Sequence, residues 1–183
     1  MGIIWIIAAA GWGLAEATFF FIVPDVLLTL ATIRLGLRAG LRLAIVAAAA
    51  ASLAGLAMWA WGYCDAVSAR RAMLWIPAIG PDLLARARQE IAGNWPLHLF
   101  TGAMTGLPYK LYAVEAGAHG INPVLFALVS FPARLTRFLL TVVLAAAARE
   151  TTAALRRPVW SYLAWAIGWI ALYAFYFGAR AAA

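Results

Sequence analysis

Five charged side chains stand within otherwise apolar sequence: Glu16, Asp25, Lys110, Arg134 and Arg137. Glu16 and Asp25 are nine residues apart, with Pro24 between them, so two half-helices meeting near Pro24 would turn both carboxylates toward one central cavity. A carboxylate in such a place needs water, a cation or a proton. Burial and a neighbouring guanidinium act on its proton affinity in opposite senses, so the pair can titrate as one coupled unit and carry a proton. The plainer alternative is that the acids cap half-helices and pair with arginine to hold the fold. Ionisable groups at membrane depth favour a functional reading.

Arg134 and Arg137 are three residues apart and so share a helix face. Insertion of each at mid-membrane costs about 2.5–3.5 kcal/mol, which calls for an acidic partner or a bound anion. Guanidinium offers planar paired donors to phosphate oxygens, so an anion site and an arginine–acid network are both open and can coexist. Lys110 follows Pro108 by two residues, where it meets an anionic headgroup or snorkels to an interface. Glu115 and His119 lie toward the exit of the same segment; His119 and His98 read as ordinary hydrogen-bonded histidines rather than proton relays. No His, Asp or Glu cluster has metal-ligand spacing, and no nucleophile elbow, P-loop or dinucleotide fingerprint occurs. The chain therefore reads as a transporter and not an enzyme, with no cofactor.

The elements that must position these residues follow from composition. Of 183 residues 66% are apolar and 11% charged, against about 45–50% and about 25% in soluble domains. A globule of this size cannot bury so much apolar surface, so the excess faces lipid. The net charge of +7 is scattered between apolar segments instead of forming a basic face, which argues against nucleic acid. Cys64 is the single cysteine, so no disulfide forms within the chain. The first apolar run has no preceding Lys or Arg and continues without a polar break to residue 33, so it reads as retained membrane structure and not a cleaved signal.

Residues 43–63 and 159–178 are uncharged and long enough to span a bilayer; the second is rich in aromatics suited to interfaces and lipid. Residues 123–148 form a third candidate, with Arg134 and Arg137 near its middle. Residues 2–33 and 95–120 are each too long for one crossing and too short for two, and are broken at Pro24 and Pro108. Each reads as a re-entrant hairpin of two half-helices, with Pro24, Pro108 and Gly117 as break or hinge residues. Residues 64–94 read as an extramembrane loop with one short surface helix starting at Pro81.

Gly36 follows Pro24 by twelve residues, as Gly120 follows Pro108, and a long apolar segment succeeds each. The expected architecture is an all-α integral membrane protein, a single membrane domain over residues 1–183, with two opposed re-entrant hairpins, about three transmembrane helices and an inverted repeat. Alternation places Arg34, Arg38, Arg42, Arg149, Arg156 and Arg157 on one side, and Arg70, Arg71, Arg86, Arg88 and Arg180 on the other. The first set, in short links, is assigned to the cytoplasm.

Residues 13–28, Gly-Leu-Ala-Glu-Ala-Thr-Phe-Phe-Phe-Ile-Val-Pro-Asp-Val-Leu-Leu, resemble the first re-entrant motif of the DedA/VTT (SNARE-associated) membrane family, most closely its YqaA-like branch. Pro108-Tyr109-Lys110, Ala116-Gly117 and Arg134-Leu-Thr-Arg137-Phe138 are similar to later elements of that branch, so the resemblance covers residue 12 to about 145. It implies opposed re-entrant hairpins, residence in the bacterial inner (plasma) membrane, and movement of lipids between leaflets. Relatives are associated with undecaprenyl phosphate, phosphatidylethanolamine and phospholipid scrambling. By position, Glu16 and Asp25 resemble the family's acidic pair, and Arg134 and Arg137 its basic pair. The common pattern has an arginine three residues after its second proline, where this chain has Lys110 at two.

The expected function is a flippase- or scramblase-like translocase of a phospholipid or polyprenyl phosphate. Arg134, Arg137 and Lys110 would hold the phosphate, and Glu16 and Asp25 would exchange protons. A proton-coupled transporter of a small solute or ion, and a non-transporting scaffold, are the alternatives. Its partners are membrane lipids and protons, not nucleic acid, and glycines on helix faces permit a homo-oligomer.

Overall fold

A computed structural model describes residues 2–77, 79–154 and 159–181; Arg156 and Arg157 lie outside them. The described residues form helices α1 (Ile3–Ala17), α2 (Asp25–Leu35), α3 (Leu37–Cys64), α4 (Ala66–Met73), α5 (Pro81–Ala92), α6 (Trp95–Thr105), α7 (Tyr109–Ala118), α8 (Pro123–Ala154) and α9 (Val159–Ala181), with no strand among them. Three helices, α3, α8 and α9, are long and apolar enough to cross a membrane.

The long helix α3 is the hub, packing most extensively against α1, α7 and α8. Its small-residue run, Ala47 to Ser52, lets neighbouring backbones come close. Gly13 of α1 sits directly on the Ala47 carbonyl, and Gly62 of α3 on that of Val114. Helices α7 and α9 are packed to very different degrees. Every residue of α7 from Tyr109 to Gly117 is buried, whereas α9 packs mainly on α2 and α8 and keeps most of its surface exposed.

Residues 18–24 separate α1 from α2, and residues 106–108 separate α6 from α7. Gly106 supplies the second break's bend, ending α6 at φ +82°, a conformation that disfavours side chains. Gly117, expected to be a hinge, is instead interior to α7. A Cβ there would strike the Trp59 carbonyl and the Tyr63 amide of α3, so its role is close helix packing. The segment expected as a loop with one helix holds two, because Asp65 caps α4 by accepting from the Ser68 amide at 3.0 Å.

Both arginine-rich ends of the bundle are defined by contacts. The Arg149 side chain lies beside Gly36, at the start of α3, while α4 and α5 rest on α7 near the end of α3.

Candidate functional site

The site begins with the problem of an interrupted helix. Residues 18–24 leave backbone groups without helical partners, and those that face the bundle must be satisfied by protein. Three side chains do this. Lys110 Nζ donates to the Phe20 carbonyl at 2.7 Å, Trp12 Nε1 donates to the Ile22 carbonyl at 2.9 Å, and the Val23 amide donates to Tyr173 Oη at 2.9 Å. The first break is thus held from α7, α1 and α9 together. Asp25 then opens α2, where a carboxylate complements the helix N-terminus.

On α8, the three-residue spacing of Arg134 and Arg137 sends one guanidinium group to α1 and the other to the start of α2. Arg134 Nη2 donates to Glu16 Oε2. Arg137 Nη2 donates to Asp25 Oδ2 at 3.0 Å, and Thr141 Oγ1, one turn on, donates to Asp25 Oδ1 at 2.9 Å. Glu16, Asp25 and Arg134 are almost wholly buried; the Arg137 side chain retains 22% exposure. The Arg134 guanidinium is sandwiched at 4.9 Å from the ring centres of both Tyr109 and Phe138, and its Nε is buried with no hydrogen-bond partner.

A cavity of about 510 Å³ lies between the two breaks, with Glu16, Asp25, Lys110 and Arg137 among its lining residues. Pro108 and Tyr109 contribute from the second break, Thr141 from α8, and Trp169, Tyr173 and Tyr176 from α9. The structure therefore brings Glu16, Asp25, Lys110 and Arg137 to one cavity, and places Arg134 behind Glu16. Pro24 stands immediately before α2 and Pro108 immediately before α7. Lys110 is not a snorkelling side chain, being 2% exposed and bonded inside the bundle.

Sequence reasoning missed the aromatic contribution. The α9 aromatics were expected at interfaces and against lipid, yet Trp165 and Trp169 Nε1 both approach Thr29 Oγ1, at 2.9 and 3.1 Å, and Tyr173 joins the break. The available signal was polar-tipped aromatics four residues apart on one face. Glu115 and His119 lie elsewhere: the Glu115 carboxylate receives both Nε and Nη2 of Arg70 at 2.7 Å, and His119 Nδ1 is 2.8 Å from the Glu115 carbonyl. His98 stands 3.7 Å from Glu90 on the outer face.

The arrangement can offer cationic donors to an anion beside a cavity that several helices line. Among the described residues no cluster of His, Cys, Asp or Glu is arranged to hold a metal ion. No family model, curated protein or solved structure matches this chain.

Proposed function

We propose that the protein is a membrane lipid translocase, passing a phosphate-bearing headgroup between leaflets through the cavity between the two helix breaks. The observation that carries this reading is the placement of two buried carboxylate–guanidinium pairs at or directly behind the wall of a cavity inside an apolar bundle. Charges of this kind are expensive at membrane depth and mark pathways. The motif resemblance to DedA/VTT proteins, strongest in its YqaA-like branch, points the same way.

In this reading α1–α2 and α6–α7 are re-entrant hairpins entering from opposite faces of a bacterial inner membrane, and residues 3–64 and 95–154 are inverted copies. Supporting it, the half-helix after each proline packs on the other unit's long helix: α2 on α8, and α7 on α3. Both of those half-helices run into a glycine of positive φ, Gly36 or Gly120. The headgroup meets Lys110 and Arg137 while its acyl chains stay in lipid, on the side where α9 forms a thin wall. That wall favours a lipid over a small soluble solute. Glu16 and Asp25 exchange protons with the site, and a proton gradient gives direction by changing headgroup affinity between the two access states.

The test is leaflet exchange of labelled phospholipids and of a polyprenyl phosphate in proteoliposomes. Wild type is expected to accelerate exchange, and Glu16→Gln, folded by circular dichroism, to lose it by about 10-fold or more. Exchange no faster than in empty liposomes, with and without a pH gradient, overturns the lipid reading in favour of a small-solute transporter.

A further inference from the structure

The charges at the site do not balance. Glu16 is bound by Arg134 and Asp25 by Arg137, which leaves Lys110 as a third cation with no carboxylate of its own among the described residues. Glu16 is near enough for its charge to act on Lys110 but is held by Arg134. The Lys110 side chain is buried, lines the cavity, and makes one hydrogen bond, to the Phe20 carbonyl at 2.7 Å. An ammonium has three donors, so two remain for something within the cavity. A surplus buried cation is costly unless a counter-ion joins it.

We propose that Lys110 anchors a phosphate ester of net negative charge in this cavity, the two arginines staying with their carboxylates. The inference rests on the translocase reading and narrows its substrate class. A net anion restores neutrality to the site, whereas a zwitterionic headgroup brings its own ammonium and leaves the surplus in place. Lys110 is therefore the specificity-determining residue, and Arg137, also at the cavity wall, is the second group within reach of the phosphate. The phosphate ester can belong to a lipid or to a soluble molecule, since the same donors serve both.

The test is calorimetric titration of the full chain in a neutral detergent with dioctanoyl phosphatidylglycerol, dioctanoyl phosphatidylethanolamine, uncharged dioctanoylglycerol and soluble glycerol phosphate. Wild type is expected to bind phosphatidylglycerol about 10- to 100-fold more tightly than phosphatidylethanolamine, the range for one charge-assisted hydrogen bond. Lys110→Met is expected to lose that preference and Lys110→Arg to keep it; Lys110→Gln, which retains a donor for the Phe20 carbonyl, separates loss of charge from loss of the strut. Binding of glycerol phosphate as tight as that of phosphatidylglycerol upholds the anion site and assigns it to a soluble ester. Equal binding of the two lipids by wild type overturns the proposal whatever the variants do, and so does an unchanged preference in folded Lys110→Met. Charge-selective binding without leaflet exchange would sink the translocase reading alone, while exchange indifferent to headgroup charge and to Lys110 would sink the anion site alone.

Discussion

Asp25 and Glu115 are both fully buried carboxylates held by arginine, and their surroundings differ in every other respect. Asp25 takes one guanidinium nitrogen of Arg137 and one hydroxyl, and it is among the residues that line the cavity. Glu115 takes a two-pronged bond from Arg70, has Arg88 at 3.7 Å and His119 at 3.8 Å, and does not line that cavity. The Arg70 pair joins α4 to α7, fastening the short helices that follow α3 to the most buried helix of the bundle. A buried charge is therefore not by itself a sign of chemistry; the space left beside it separates a working site from a fastener.

The sharpest way to break this comparison is to remove the fastener. Arg70→Met leaves Glu115 with the more distant Arg88 and His119, and stranding a buried charge costs about 3–5 kcal/mol. The expected result is a large drop in thermal stability in detergent, which the double variant Arg70→Met/Glu115→Gln largely restores. A loss under about 1 kcal/mol, the value of a surface pair, would mean that α4 is not locked there.

At the inner site a smaller effect on stability is expected with a larger one on transport. Thr141→Val removes one hydrogen bond to the Asp25 carboxylate at nearly constant volume, worth about 1.5–3 kcal/mol for a charged acceptor. Leaflet exchange should fall several-fold, since the carboxylate loses one of the two groups that orient it. A variant with wild-type exchange but the full stability loss would make Asp25 a fastener like Glu115.

Much of this contrast was legible in the sequence, and the remainder has physical reasons for being hidden. Proline breaks and the acid and arginine pairs are local features, and three-residue spacing on one helix is enough to put Arg134 and Arg137 on one face. Which acid each arginine meets depends on the crossing of α8 over α1 and α2, more than a hundred residues away in the chain. Arg70 sat in a stretch read as solvated loop, because an eight-residue helix such as α4 leaves too short a pattern to see. Tyr173 and Trp169 read as lipid-facing because aromatic rings suit lipid, and only the packing of α9 on α2 shows that their polar tips turn inward. Gly117 looked like a hinge because glycine permits both bending and close approach, and composition alone does not separate them.

The outer network carries one further test, the mildest of these, through Glu90 of α5. Its carboxylate accepts from Arg86 Nε at 2.7 Å and from the Tyr112 hydroxyl of α7, with His98 3.7 Å away. Burial alone would raise its pKa, but the hydrogen bonds from Tyr112 and Arg86 outweigh burial and hold it below the ordinary carboxylate value. A group whose folded pKa is depressed stabilises the fold above its unfolded pKa, and that contribution disappears as pH falls through the folded one. The attachment of α5 to α7 should therefore be constant from neutrality down to about pH 5, and weaken only below the unfolded glutamate value of about 4.3. Hydrogen exchange along Pro81–Ala92 reads this directly: faster exchange at pH 3.5 is expected in wild type, and Glu90→Gln should exchange at one rate relative to the intrinsic chemistry across the range. Loosening of α5 between pH 7 and 5 would instead assign the latch to another group, and would leave the attachment of α4 and α5 to α7 resting on Glu115, which faces both Arg70 and Arg88.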